Sequence, residues 1–319
     1  MLSKILRAQM IQLNLHWQSL NLNCSRATHA YMPIAAETWR SFKFPANLLK
    51  WMDHKKMLSA RRKSDGQTVT AYSESKANAP FYCLVCGDEV ALKTGRNRVN
   101  HFAHVNPLAC RYAENESEAH RRCKMEIYEA LLRQPGVSKA ALERPLDNVR
   151  PDVSAVIQGV PVAIEVQISS LTPETIQRRT IEYARDGIYV LWLLQWTPKL
   201  DARRYTPRLW EKWVHAAYFG RVYYWLKGLD VVSYHFDPNH RTIPNKTWYS
   251  NDGRKMTAGG YSRRSKLHRT PVRGRTFNLA TDFGPRNRDW WEGKGITVPA
   301  AKLYIDRHRF SVAAEFYEN

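Results

Sequence analysis

The sequence comprises 319 residues, of which 44% are hydrophobic and 24% are charged. This balance is typical of a soluble globular protein, and the length allows a substantial core and two domains. The formal net charge of +20 favours a polyanionic partner, foremost nucleic acid, with a solvated basic surface as the alternative.

Five cysteines are present, an odd number, and two of them form the motif Cys83-x-x-Cys86. This usage favours a reducing compartment and a metal site over a disulfide framework. No apolar run has the length of a bilayer span, so we expect a cytoplasmic protein without a membrane partner.

Residues 1–56 show no sustained period of 2 or 3.6. Two interpretations stay open: a poorly defined extension upstream of a true start at Met57, or a structured N-terminal element. From Met57 onward the sequence has the features of a domain, because a polar turn at residues 64–67 separates two short strands.

A zinc-binding group is predicted within residues 57–113, a small β module. Two cysteines with knuckle spacing and a following glycine precede two histidines and a third cysteine, all within about thirty residues. The candidate ligands are Cys83, Cys86, His101 and His104, with Cys110 as the alternative fourth ligand. A tetrahedral Zn²⁺ would hold together a module too small to own a core. Without metal, these residues would be buried thiols and surface histidines.

Residues 116–133 predict a helix, because acidic residues crowd its first turn and a Gln-Pro-Gly sequence ends it. Its apolar line continues toward the N-terminus as Glu116 and His120, with Lys124 beside it. Polar groups on the buried side would overhang a cleft. The alternative is a solvated helix end with ordinary side-chain pairs.

The stretch from residue 150 to 194 predicts strand, turn, strand, helix, strand. Asp152 opens one alternating run, and Glu165 and Gln167 share a face of the next, across a turn at Gln158-Gly159. Oxygen ligands on a rigid sheet suit Mg²⁺ or Mn²⁺, which can activate water against a phosphodiester. A Thr-Pro-Glu helix start and a buried final strand complete an α/β core with a mixed sheet.

The C-terminal part predicts one more helix from Thr206-Pro207 and strands at 221–226 and 231–236. Residues 254–288 are rich in Gly, Ser and Arg, which predicts a flexible basic segment that tracks a phosphate backbone, or a linker without a role. Residues 302–316 are expected to pack back on the core. The predicted domains are 57–113, 114–240 and a basic, partly flexible region at 241–319.

Six motifs follow one another between Met57 and Leu194: FYCLVCG, HFAH, ESEAHRRCK, RPDV, AIEVQIS and RRTIEYARDGIYVLWLL. In this order they resemble the CoiA-like competence proteins, a branch of the PD-(D/E)xK nuclease superfamily with an N-terminal zinc-finger-like module. Several motifs in one order are more specific than any of them alone. The resemblance implies a restriction-endonuclease-like core at 114–240, with a mixed sheet flanked by helices.

The resemblance also implies that Asp152 and Glu165 hold the catalytic Mg²⁺ or Mn²⁺. Gln167 stands where the superfamily usually has a lysine that orients or activates water. An amide can hold a water molecule, but it cannot act as a cation or a general base. Lys124, or a cation from the helix at 172–186, would then supply the missing charge.

Two further pairs match the family's polar positions. Glu116 and His120 would complete the metal shell or position a water molecule. Arg179 and Tyr183, one turn apart on the next helix, would grip a DNA phosphate or the 5′ end. The alternative for this second pair is an amphipathic helix packed on the sheet.

These expectations predict a metal-dependent deoxyribonuclease that acts on DNA, including single-stranded DNA, in uptake, recombination or repair. Recombination or uptake proteins would be its further partners. Two alternatives stay open. The first is a catalytically silent DNA-binding protein on a nuclease fold, which Gln167 in place of the usual lysine suggests. The second is an RNA-processing protein.

Overall fold

The computed structural model describes residues 56–96, 98–106, 110, 117–168 and 171–308, which belong to one compact unit. The predictions for the N-terminal segment and for Glu116 lie outside the described residues. The described part is a mixed α/β protein with a large mixed sheet and a smaller antiparallel sheet. The predicted α/β class is therefore confirmed.

The smaller sheet precedes the first helix and contains the cysteine motif. Its strands are β1 (Lys56–Met57), β2 (Ser59–Arg62), β3 (Thr68–Thr70), β4 (Phe81–Tyr82), β5 (Glu89–Lys93) and β6 (His101–His104), in the order β1-β6-β5-β4-β2-β3. The predicted polar turn joins β2 to β3, and Gly66 there takes a φ of 68°, which favours glycine. A small apolar cluster that includes Phe81 and Phe102 fills this module.

Three α-helices are described: α1 (Glu118–Leu132), α2 (Pro173–Arg185) and α3 (Leu209–Ala217). The Ser117 hydroxyl caps α1 by accepting a hydrogen bond from the His120 amide. The predicted start of α2 is confirmed, since the Thr172 hydroxyl accepts from the Thr175 amide and proline follows it in the first turn. The third helix begins close to the predicted Thr206-Pro207 start.

The large sheet holds most of the remaining chain. Its strands are β7 (Val137–Leu142), β8 (Val153–Ile157), β9 (Val160–Gln167), β10 (Tyr189–Gln195), β11 (Val222–Lys227), β12 (Asp230–Ile243), β15 (Tyr261–Asn278), β16 (Phe283–Arg288) and β19 (Ala301–Asp306). The main order is β15-β12-β11-β10-β9-β8-β7, and β19 pairs with β16 and β10. Strands β9, β10 and β11 are parallel, because α2 and α3 return the chain between them. The other neighbours are antiparallel, except that β19 runs parallel to β10.

The centre of the sheet is buried on both faces. Strand β10 contributes five consecutive buried residues from Val190 to Leu194, as a strand covered on both sides requires. Strand β9 is buried from Val162 to Gln167, although two of its last three residues, Glu165 and Gln167, are polar. Two polar side chains inside a covered strand cost free energy unless they are paired, so this end of β9 marks a site.

A long two-stranded ribbon extends from the sheet. The outer part of β12 pairs with β15 up to Ile243 opposite Tyr261, and the hairpin of β13 (Lys246–Tyr249) and β14 (Lys255–Ala258) continues it. We call residues 240–275 the basic ribbon. Gly259 takes a φ of 103°, and a β-carbon there would collide with the Pro244 carbonyl oxygen. Only glycine therefore fits where the tip joins the stem.

The ribbon corrects one expectation. Residues 254–288 were predicted to be flexible, but most of them form β14, β15 and β16. The partners of β15 in β12 lie 18 to 48 residues earlier in sequence, from Ile243 opposite Tyr261 to Asp230 opposite Asn278, so local composition did not reveal the pairing. The predicted closing element is present as β19, which pairs with β16 and β10 in the large sheet, and the remainder of 302–316 beyond His308 lies outside the described residues.

Two small strands, β17 (Trp291–Gly293) and β18 (Ile296–Val298), form a separate hairpin beside α3. Within the described residues, none of the helices combines the length and the apolar character that a bilayer crossing demands.

Candidate functional site

A cluster of charged side chains lies where α1, α2 and the ends of β8 and β9 meet. Asp152 directly precedes β8, and its Oδ2 accepts a hydrogen bond of 2.8 Å from the Val166 amide. This bond places the Asp152 carboxylate beside the residue that follows Glu165 in β9. The predicted pairing of the two carboxylates across the hairpin is thus present in the structure.

Glu165 is buried in β9, with 2% of the residue exposed. Its Oε1 accepts hydrogen bonds from the Tyr183 hydroxyl and from Nη2 of Arg179, both on α2. Burial and the nearby charge of Asp152 raise the pKa of Glu165 to about 7, against the opposing effects of Arg179 and Tyr183. Ionisation of Glu165 beside the charged Asp152 is therefore unfavourable without a further cation.

Asp152 has the opposite character. Burial alone would raise the pKa of its carboxyl, but Lys124 and His120 act against burial and lower it below the usual range. Nε2 of His120 lies 3.1 Å from Asp152 Oδ2, and Nζ of Lys124 lies 3.5 Å from Oδ1. Asp152 is thus held ionised next to a carboxyl that resists ionisation.

His120 and Lys124 lie one turn apart on α1, as predicted from the sequence. Lys124 is only 2% exposed, so its charge must be compensated inside the protein. Its Nζ lies 2.6 Å from Oε1 of Glu143, a residue at the end of β7. The other oxygen of Glu143 accepts a hydrogen bond of 3.0 Å from the Leu58 amide of the small module.

Sequence reasoning missed Glu143. Its 4% exposure and its φ of 51° could not be read from the neighbouring residues. Burial is the largest influence on its pKa and would raise it, yet Lys124, Arg150 and the Leu58 amide together outweigh burial and lower the pKa. Glu143 therefore stabilises the charge of Lys124 beside Asp152.

Gln167 lies two residues beyond Glu165 on the same face of β9 and is also buried. The two α2 residues predicted to hold a phosphate are placed differently. Tyr183 is 0% exposed and Arg179 donates to Glu165 and to the Arg150 carbonyl oxygen, at 3.0 Å for the latter. Tyr183 therefore positions Glu165 and cannot reach a phosphate from solvent, whereas Arg179 is 18% exposed on the cleft wall.

A cleft of about 750 Å³ opens next to Asp152. Its walls carry Arg150, Arg178, Arg179 and Arg185, and Val85 of the cysteine motif contributes to one side. The acidic groups in the lining are Asp147, Asp152 and Glu182. The cleft therefore presents an ionised carboxylate at its wall among several guanidinium groups, which bind phosphate oxygens well.

The carboxylate pair fits a hard divalent cation. Asp152 and Glu165 offer oxygen atoms, the donors that Mg²⁺ and Mn²⁺ prefer. The raised pKa of Glu165 also reports electrostatic crowding next to Asp152, which added positive charge would relieve. The residues present thus suit the cation that the sequence predicts.

The small module contains a second group of metal-binding character. The ligand atoms of Cys83, Cys86, His104 and Cys110 all lie within 4.8 Å of one another, and Cys86 Sγ is 3.3 Å from His104 Nε2. Burial, with the neighbouring Cys83 and Cys110, raises the pKa of Cys86 to about 12. Three thiols and one imidazole make up a Cys₃His donor set, which is compatible with structural zinc.

His101 is absent from this group, and Cys110, the predicted alternative, takes its place. The physical reason is the period of the strand. His101 and His104 are the two ends of β6, three residues apart, so their side chains leave opposite faces. His101 Nδ1 instead lies 2.9 Å from the Val99 carbonyl oxygen.

The fold and site thus define a mixed α/β domain with a paired-carboxylate cleft, joined to a module with a Cys₃His group. Residues 64–113 match the family described as Competence protein CoiA, N-terminal domain, and residues 116–211 match Competence protein CoiA, nuclease-like domain. Over 115 residues the chain is 34% identical to Competence protein CoiA of Bacillus subtilis (strain 168), which covers 36% of this chain and 31% of that protein. Across residues 64–211 the chain is therefore similar to the CoiA-like proteins. Asp152, Glu165 and the groups around them on α1 and α2 lie within the nuclease-like match.

Proposed function

We propose that this protein is a metal-dependent nuclease that hydrolyses phosphodiester bonds of DNA in uptake, recombination or repair. The observation that carries the proposal is the ionised Asp152 beside the buried Glu165 in an arginine-lined cleft. The relative named above is a competence protein, and the matched domain is described as nuclease-like. Both descriptions support a role on DNA.

Asp152 and Glu165 would hold Mg²⁺ or Mn²⁺ in the PD-(D/E)xK manner that the sequence motifs imply. When bound, such a cation lowers the pKa of a water ligand and offsets charge on the phosphate. The protein's own groups prepare this arrangement. The Val166 amide and His120 fix Asp152, while Arg179 and Tyr183 fix one oxygen of Glu165.

Lys124 would supply the positive charge that Gln167 cannot. Its ammonium lies 3.5 Å from Asp152, and the ion pair with Glu143 favours its charged form. It can therefore stabilise negative charge that develops on the phosphate, but it is poorly suited to accept a proton. Gln167 would orient the attacking water through its amide.

The cleft would bind the substrate through its phosphates. Arg150, Arg178 and Arg185 line it at positions separate from the α2 contacts of Glu165. A volume of about 750 Å³ is larger than one nucleotide needs, which suits a stretch of strand. Recognition of phosphates alone predicts weak sequence preference and strong salt dependence.

The test is a cleavage assay on labelled single-stranded, double-stranded and branched DNA with Mg²⁺ or Mn²⁺. Asp152→Asn keeps the side-chain shape and should reduce cleavage by about 100-fold or more. Asp147→Asn is the matched control, because Asp147 lines the same cleft and is exposed. Equal activity of wild type and Asp152→Asn would assign the cleavage to a contaminant or another site.

A second candidate is a DNA-binding protein without turnover. The buried Gln167 in place of a lysine favours it. Tight DNA binding with no cleavage under any divalent metal would support this candidate and contradict the first. Competition between single-stranded DNA and RNA in the same assay tests the third candidate, an RNA-processing protein.

We further infer that the Cys₃His group holds a structural Zn²⁺. The donor set and the 4.8 Å spread of its ligand atoms support this inference. Metal analysis should give about one equivalent of zinc for the wild type, and Cys86→Ser should lower it strongly. Cys123→Ser is the control, since this thiol is buried in the main core away from the group. Less than about half an equivalent in the wild type would contradict the inference.

A further inference from the structure

The basic ribbon carries an unusual share of the protein's charge. Residues 240–275 contain ten lysines and arginines and a single acid, Asp252, which gives a formal charge of +9 out of the +20 of the chain. Every residue of β13 and β14 is exposed. A core requirement therefore does not explain this composition.

The register places like charges together. Arg241 lies directly opposite Arg263 in the ladder of β12 and β15, and both are exposed. Like charges at directly opposed positions destabilise a sheet. Lysine and arginine on exposed strands can also prevent edge pairing, but this purpose does not require two arginines face to face. A polyanion bridging the pair would turn the repulsion into attraction.

The tip adds aromatic rings. Trp248 and Tyr249 are 47% and 70% exposed, and as successive strand residues they project from opposite faces of the hairpin. Trp248 lies opposite the exposed Met256, and Tyr249 lies opposite Lys255. Tyr261, 55% exposed, stands where the stem meets the tip. Exposed rings interleaved with cations are the combination that binds unpaired bases and their phosphates.

The root of the ribbon forms a basic pocket of about 320 Å³. Among the described residues, its lining includes five cationic side chains and no carboxylate. The cations are Lys212, Arg264, Lys266, Arg269 and Lys294. Within the part of the chain that the structure describes, no carboxylate oxygen is found within 4.0 Å of these five cations. The pocket carries the positive charge that a phosphate group requires and has ample room for one.

We propose that the basic ribbon is a nucleic-acid-binding arm, with the stem arginines and root pocket on the phosphates and the tip rings stacked on unpaired bases. This site is separate from the cleft beside Asp152 and does not depend on cleavage there. An acidic protein would satisfy the cations but would leave the exposed rings without planar partners. The combination of rings and cations therefore favours a single-stranded nucleic acid.

The experiment measures binding of the full chain to a fluorescent thymidine 30-mer by anisotropy, without added Mg²⁺ or Mn²⁺. Arg241→Gln/Arg263→Gln should weaken binding about tenfold and reduce the slope of log affinity against log salt by about 1.4, as expected for two lost phosphate contacts on a single strand. Arg133→Gln/Lys139→Gln removes two exposed cations outside the ribbon and should leave affinity within about twofold.

Trp248→Ala/Tyr249→Ala tests the tip. Binding of the single strand should weaken about tenfold or more with an unchanged salt slope, while binding of a 30-base-pair duplex should change by less than about twofold. Because these side chains are exposed, thermal unfolding of each variant should match the wild type and exclude misfolding. Wild-type binding by both ribbon variants would overturn the proposal and favour an acidic protein partner. Because no divalent metal is added, this outcome is independent of whether the protein cleaves DNA.

Discussion

The cleft beside Asp152 and the pocket at the root of the basic ribbon handle charge in different ways. In the cleft region each buried cation has an acidic partner, with Lys124 on Glu143 and Arg179 on Glu165. The lining of the root pocket includes five cations and two histidines, and no carboxylate of the described part of the chain belongs to it. The first arrangement is internally neutralised and holds its groups at fixed distances, which chemistry requires. The second has, among the described residues, no carboxylate within 4.0 Å of its five cations, so a bound anion would offset their charge.

The largest expected effect comes from breaking the internal neutralisation. Lys124→Met leaves Glu143 and Asp152 without the buried ammonium between them and should lower the free energy of unfolding by about 3–5 kcal/mol. Urea denaturation measures it, with the exposed Lys93→Met as a control expected within about 0.5 kcal/mol. The double variant Lys124→Met/Glu143→Gln should recover part of the loss. A loss below about 1 kcal/mol would contradict the picture of a neutralised cluster.

A smaller effect is expected from the hydrogen bond on Glu165. Tyr183→Phe removes one donor to a buried carboxylate and should lower the free energy of unfolding by about 1.5–3 kcal/mol. It should also weaken Mg²⁺ binding about tenfold, measured by calorimetry, because Glu165 loses part of its support. Tyr189→Phe is the matched control, since its hydroxyl makes one long contact of 3.5 Å to Asn287. Unchanged stability and unchanged Mg²⁺ affinity would show that Tyr183 does not position Glu165.

The root pocket has its own titrating group. Burial lowers the pKa of His215 to about 3, with help from His235, 3.1 Å away, and from Arg269. A histidine with a depressed pKa contributes stability above its unfolded pKa of about 6.5, and this contribution is lost as the pH falls toward 3. Between pH 7 and pH 5 the wild type should lose about 2 kcal/mol that His215→Gln does not lose, measured by urea denaturation. Parallel curves for the two proteins would contradict the assignment.

The smallest expected effect is stabilisation by phosphate. If the pocket binds phosphate with a dissociation constant on the order of 10 mM, 50 mM phosphate adds about 1 kcal/mol to the free energy of unfolding. Chloride at equal ionic strength is the control for screening. Lys212→Gln/Lys294→Gln should abolish the difference between the two salts. An equal response of wild type and variant would place phosphate elsewhere.

Local signals predicted much of the fold. The hairpin of β8 and β9 and the threonine cap of α2 each depend on residues within a few positions of one another. Asp152 and Glu165 were found for the same reason, because one hairpin carries both.

Distant pairing was not predictable in this way. Residues 254–288 have the composition of a loop, and only their partners in β12, β13 and β19 make them strands. Glu143 was missed because its significance lies in Lys124 and Leu58, which are 19 and 85 residues away in sequence. The choice of Cys110 over His101 as a ligand could have been made from the sequence, since two histidines three residues apart on a strand cannot share a face.

Glu143 divides its carboxylate between two parts of the chain, with one oxygen on Lys124 and the other on the Leu58 amide. Docking of the small module and the placement of the cation next to Asp152 are therefore coupled through one side chain. A chain whose module has not closed would lack this backbone donor, and Glu143 would keep only its ion pair with Lys124. The hydrogen bond from the Leu58 amide thus links the position of Lys124 beside Asp152 to the docking of the small module.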